Sequence, residues 1–171
     1  MKYTEHLAQN KKRLTNKWLT ALIETYPAES GRFLFNRKNE FTNPIGHAYE
    51  KGLGEIFDAL FCGKRETLDQ ALTEIMKIRS IQDYSASYAL NFMFILKGII
   101  QDEFKAFSKG GSNWQELTDA LEAADEGMKA AFDMFVKQRE ILYEIKANEI
   151  KNRTFRMIDR LNKKYDVMDE K

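Results

Sequence analysis

The sequence predicts an all-α protein, a single helical-bundle domain that ends in a long C-terminal helix. Three observations predict it. Only two prolines occur, Pro27 and Pro44, so little interrupts a helical backbone. Apolar residues recur at spacings of three and four along most of the chain. No strand-like alternation bounded by turn residues persists for long. The 171 residues fit one domain, and a 43% apolar content supplies its core.

Each element carries its own signals. The first helix is predicted over Thr4–Tyr26, with Leu7, Leu14, Trp18, Ala21, Leu22 and Thr25 on one face and Pro27 as its stop. A short helix over Ala28–Phe35 and the polar loop NRKNEFTN follow. Asn43 and Pro44 then form a start signal, a side-chain cap followed by proline at the first helical position. That third helix reaches Phe61, with Tyr49, Leu53, Ile56, Phe57 and Leu60 as its apolar stripe, and CGK ends it. A fourth helix is predicted over Glu66–Gln82, with Leu68, Ala71, Leu72, Ile75, Met76 and Arg79 along one side, and a fifth over Ser85–Ser108.

The last segment, from Trp114 onward, has no proline and a single internal glycine, Gly127. It reads as one very long helix to about Val167 or as two helices divided by a kink. Its distal part carries Ile150, Thr154, Met157, Ile158, Leu161, Tyr165 and Met168 at three-four spacing, the seam of a coiled coil or of a helix that docks on a partner. Glu149–Arg153 and Asp159–Lys163 are acid-to-base pairs one turn apart, each worth only a few tenths of a kcal/mol.

The polar stretch RSIQDYSASYAL, Arg79 to Leu90, interrupts this helical pattern. It reads first as a helix–helix corner, with Asp83 or Ser85 capping the fifth helix and Arg79 and Gln82 finishing the fourth. Its second reading is a polar pocket formed by His47, Arg79, Gln82, Asp83 and Tyr84.

Catalysis finds little support. The two histidines, His6 and His47, form no HExxH pair, and the lone Cys62 has no histidine at motif spacing, so neither a metal nor a cofactor is expected. Carboxylate pairs such as Asp102–Glu103 and Asp125–Glu126 read as a solvated face, because adjacent helical positions point different ways. GKRET and KGLGEIF lack the spacing of a phosphate loop.

A formal net charge of +1 gives the whole protein no obvious character of a polyanion binder. The cations of the last helix (Lys146, Lys151, Arg153, Arg156, Arg160, Lys163 and Lys164) suggest nucleic acid only as a weak alternative. They spread around the helix and are interrupted by Glu149 and Asp159. The single cysteine fits a reducing, cytoplasmic setting. The N-terminus is too charged for a signal peptide, and ALNFMFILKGII is too short and interrupted for a membrane span.

In order the chain reads KWLTALIETYP, RFL, NPIGHAYEKGLGEIFDAL, IRSIQDYSASYALNFMFILKGII and FDMFVKQREILYEIKANEIKNRTFRMIDR. This succession resembles the N-terminal domain of the RsbRD type of RsbT co-antagonist proteins, over about Lys12 to Leu161. The resemblance implies a globin-like, haem-free, dimeric sensory module of bacterial stress signalling. In such proteins the final helix leads into a STAS domain, which engages the switch kinase RsbT within the stressosome. No STAS segment lies in these residues, so a stand-alone module is expected.

The combined expectation is a non-enzymatic regulatory domain, with a helical core over 1–145 and a contact arm over 146–171. It would act as a homodimer and through a separate signalling protein, possessing either a STAS domain or a switch-kinase fold. A small-ligand sensor with an internal pocket is the alternative.

Overall fold

Local chemistry fixes where most helices start. Asn43 accepts a hydrogen bond from the Gly46 backbone N–H at 2.8 Å through its side-chain oxygen, and Pro44 follows it. The Asn43 amide also donates to the Leu34 carbonyl at 2.9 Å, so one residue caps one helix and closes the end of another. A β-carbon on Gly46 would stand 2.7 Å from that same carbonyl oxygen, which is why glycine occupies the position. Ser85 caps the next corner by accepting from the Tyr88 N–H at 3.3 Å.

The computed structural model of the protein describes residues 2–35, 43–82, 84–108 and 114–169, with side chains described as far as Lys164. Among these residues the elements are α1 (Tyr3–Gln9), α2 (Lys11–Glu24), α3 (Ala28–Phe35), α4 (Pro44–Phe61), a 3-10 turn (Arg65–Thr67), α5 (Leu68–Ile81), α6 (Ala86–Ala89), α7 (Asn91–Phe107) and α8 (Trp114–Asp169). The all-α class and the long C-terminal helix are as the periodicity predicts.

Three boundaries differ from the sequence expectation. The first helix divides at Asn10, whose side chain donates to the His6 carbonyl at 2.9 Å. Leu7 and Leu14 are seven residues apart, so the apolar stripe runs straight through the break and conceals it. The fourth helix begins at Leu68, behind the 3-10 turn, and stops at Ile81. The fifth divides at Leu90 because Arg79 takes up the Tyr88 and Ala89 carbonyls. The last segment is a single α-helix with no break at Gly127.

The core gathers Trp18 and Leu22 of α2, Tyr49 and Phe57 of α4, Ile75 of α5, and Phe92 and Leu96 of α7, all fully buried. Burial of each such side chain contributes about 1.5–3 kcal/mol. Helix α8 closes this core with Ala120, Ala124, Gly127 and Ala131. These small residues let its backbone come close. A β-carbon at Gly127 would already stand 3.0 Å from Met93 Cε and 3.1 Å from a Leu60 methyl.

Helix α8 then leaves the domain. From Tyr143 to Lys164 every residue is exposed, an arm of about 33 Å at 1.5 Å per residue.

Candidate functional site

Arg79 is the centre of the polar corner that the sequence singles out. It lies on the apolar side of α5 and is fully buried, not a solvated charge at a helix end. Its guanidinium donates to the Ala89 carbonyl, to the Tyr88 carbonyl at 2.8 Å and to the Tyr26 hydroxyl at 3.2 Å. The rings of Tyr84 and Phe92 lie 5.5 and 5.8 Å from it and add cation–π attraction. Among the described residues these carbonyl dipoles and ring faces are what surround the buried guanidinium and offset the cost of taking it out of water.

Tyr26 extends the network. Its hydroxyl proton goes to the Gln82 side-chain oxygen at 3.1 Å, which leaves the Tyr49 hydroxyl, 2.6 Å away, as a donor to Tyr26. Burial first, and the neighbouring Tyr26 second, push the Tyr49 phenol far above its ordinary range, so it stays protonated. The Tyr88 hydroxyl donates to the Thr25 carbonyl at 2.5 Å and pins α6 to the end of α2.

The structure thus brings Arg79, Gln82 and Tyr84 together. Gln82 and Tyr84 border an open groove of about 580 Å³ with Tyr26, Phe33, Leu34 and Ile45. His47 lies along a different, smaller groove of about 300 Å³, between α4 and α5. Asp83 lies outside the described residues. Tyr26 and Tyr49 were missed by sequence reasoning because they come from separate helices and look like ordinary core aromatics.

A second polar cluster corrects the solvated-face reading of Asp102–Glu103. Asp102 is exposed beside Lys105, but Glu103 is buried and pairs with His6 at 2.7 Å and with Arg13. Tyr3 completes this tie by donating its hydroxyl proton to the Ile100 carbonyl at 2.6 Å and its N–H to Glu116 of α8. The N-terminal helix is therefore strapped to both α7 and α8.

Burial pushes the Glu103 carboxyl up, but hydrogen bonds from Arg13 and His6 outweigh it and hold the group below its ordinary value. A depressed folded value stabilises the fold above the unfolded carboxyl pKa of about 4.3, and that contribution is lost as pH falls through the folded value. Glu103→Gln is expected to cost about 2 kcal/mol at pH 7 and progressively less towards pH 3, read from urea midpoints. A cost independent of pH over that range would refute the ionic role.

Cys62 sits in a setting that disfavours its thiolate. Burial first, and the Asp58 carboxylate second, push its thiol up, away from the reactive thiolate.

The seam residues of α8 occupy the projecting arm. Ile150, Met157, Ile158 and Leu161 are between 48% and 65% exposed, far above what a core-facing stripe would show. Thr154 is exposed and bonds back to the Ile150 carbonyl at 3.0 Å. The Tyr165 side chain lies outside the described residues. Several arm cations are engaged locally: Arg153 with Glu149 at 2.6 Å, Lys163 with Asp159 at 2.9 Å, and Lys151 over the Phe155 ring.

Among the described residues no helix is long and apolar enough to cross a membrane. No curated protein and no solved structure matches the chain. A family model does match, over residues 12–150: that of the RsbT co-antagonist protein RsbRD N-terminal domain. This span holds the buried Arg79 corner, the core apart from Tyr3 and Leu7 of α1, and α8 as far as the start of its apolar seam, and the family is one of regulatory domains in stress signalling. The chain belongs to the RsbRD N-terminal domain family of RsbT co-antagonist proteins.

Proposed function

We propose that this chain is a non-catalytic regulatory module of stress signalling that acts in the cytoplasm. It pairs with a second copy through the α8 arm and contacts a separate signalling protein, of STAS-domain or switch-kinase type. The helical core to about residue 145 supports and senses, and residues 146–171 form the contact arm. One observation carries this reading. An apolar seam with Ile150, Met157 and Leu161 about half exposed or more stands on an arm whose residues from Tyr143 to Lys164 are all exposed.

Truncation after Tyr143 tests the reading without disturbing the core. The full chain is expected to run as a dimer in light scattering and the truncated chain as a monomer. An unchanged mass would count against pairing through the arm. The engagement of Arg153 and Lys163 by neighbouring acids weighs against the arm as a nucleic-acid surface.

A small-ligand sensor is the second reading, and the groove beside Gln82 and Tyr84 favours it. A ligand held there would appear as added mass in native mass spectrometry of protein purified from its own cell. A bare mass would oppose it.

A further inference from the structure

The groove beside Gln82 and Tyr84 joins apolar walls to one polar corner. Phe33 and Ile45 are 54% and 38% exposed, and with Pro27 and Leu34 they give the groove its aliphatic and aromatic sides. The Tyr26 and Tyr84 rings add two more faces, 6.3 Å apart and inclined at 65°. A volume of about 580 Å³ falls within the roughly 300–1,000 Å³ of small-molecule sites.

Hydrogen bonding fixes what the polar corner offers. The Tyr26 hydroxyl donates to the Gln82 side-chain oxygen at 3.1 Å and itself accepts from the Arg79 guanidinium at 3.2 Å. The Gln82 oxygen is thus engaged, and its side-chain N–H groups have no partner among the described residues. Free amide protons on a groove wall are complementary to an acceptor oxygen.

Charge decides which acceptor. Glu29 lines the groove and is exposed, whereas Arg79 stands behind the Tyr26 hydroxyl and is fully buried. Water and salt screen an exposed carboxylate. An interior cation acts at an effective dielectric of about 20, roughly a quarter of that of water. The field of Arg79 therefore prevails at the Gln82 corner. It favours a negative oxygen over a neutral one, and a neutral one over a cation.

We infer that this groove takes a small carboxylic acid with an apolar body, its carboxylate on the Gln82 amide and its body against Phe33, Leu34 and Ile45. The inference rests on the small-ligand reading of the groove and adds the chemistry of the ligand. An acid seated there bonds to Gln82, Gln82 to Tyr26, and Tyr26 to the guanidinium that holds the Tyr88 and Ala89 carbonyls. Occupancy is thereby felt at the corner between α5 and α6 through a chain of hydrogen bonds.

Three probes of similar size separate charge from shape: benzoate, benzamide and benzylammonium. Their binding to the full chain is followed by amide chemical shifts in two-dimensional NMR, for the parent and for Gln82→Glu. That substitution keeps an acceptor for the Tyr26 hydroxyl and replaces the donating amide with a carboxylate. The parent is expected to bind benzoate about tenfold more tightly than benzamide, the order that a charge-assisted hydrogen bond adds, with shifts at Phe33, Gln82 and Tyr84. Gln82→Glu is expected to abolish that preference. If benzamide or benzylammonium binds as well as benzoate, or if Gln82→Glu keeps the preference, the acid inference falls and the small-ligand groove stands. If none of the three moves these residues at about 10 mM, where weak fragments still bind, both fall.

Discussion

Replacing Arg79 with methionine is expected to destabilise the protein by about 3 kcal/mol. The change removes the donors that satisfy the Tyr88 and Ala89 carbonyls and the Tyr26 hydroxyl, and leaving such buried acceptors unpaired costs about 1–3 kcal/mol each. Methionine fills much of the volume and relieves the desolvation of a buried cation, which offsets part of the loss. For a domain of this size the melting temperature should fall by about 6–12 °C. Arg79→Lys should lie between, since one ammonium cannot fork across three acceptors set around a planar group. Urea denaturation measures both, and a methionine variant as stable as the parent would show that the corner is not held by Arg79. Because Arg79 sits where α5, α6 and α7 meet, near-UV circular dichroism should also report loosened packing of Tyr84 and Tyr88.

Trp18→Ala should have a comparable or larger effect, a loss of about 3–5 kcal/mol. The indole is fully buried, stacks beside Phe92 with ring centroids 6.0 Å apart and donates its N–H to the Phe92 carbonyl at 2.6 Å. Alanine would leave a cavity between α2 and α7 that rigid helices cannot collapse into. Trp18→Phe separates the two contributions. It keeps most of the apolar area and removes the hydrogen bond, for a smaller cost of about 1–2 kcal/mol. Equal midpoints for alanine and parent would mean that the indole is not a core residue.

Both predictions act on the same helices. Arg79 and Trp18 each bind the first turns of the α6–α7 segment, and Leu90 and Phe94 of that segment line an open groove of about 980 Å³. Loss of either contact should therefore loosen the α6–α7 segment that borders this groove.

Much of the fold was legible in the sequence because its causes are local. The Asn43–Pro44 start, the helix end just before Pro27 (at Glu24, two residues short of the expected Tyr26), the cap expected at Asp83 or Ser85 and found at Ser85, and the three-four apolar spacing act within one or two turns of their own residues. The breaks at Asn10 and Leu90 were not legible. The first is masked by an apolar stripe that runs unbroken past Asn10, and the second is made by Arg79 reaching across to α6. Glu103 misled for the same reason. Adjacent carboxylates diverge around a helix, and only the approach of α1 and α2 decides which one is buried.

By itself the sequence determined the helical class, the long terminal helix and the three-four apolar spacing from Ile150 to Met168, since backbone periodicity and helix caps need no distant partner. Its order of segments also pointed to the family that the comparison over residues 12–150 shows. Tertiary structure alone decided that Arg79 is a buried tie and not a solvated helix end, and that Glu103 is a strap for α1. It alone showed that Gln82 and Tyr84 border an open groove with Tyr26 and Phe33. The physical reason is that burial belongs to pairs of surfaces: a side chain's periodicity gives its direction, and only packing determines what stands opposite.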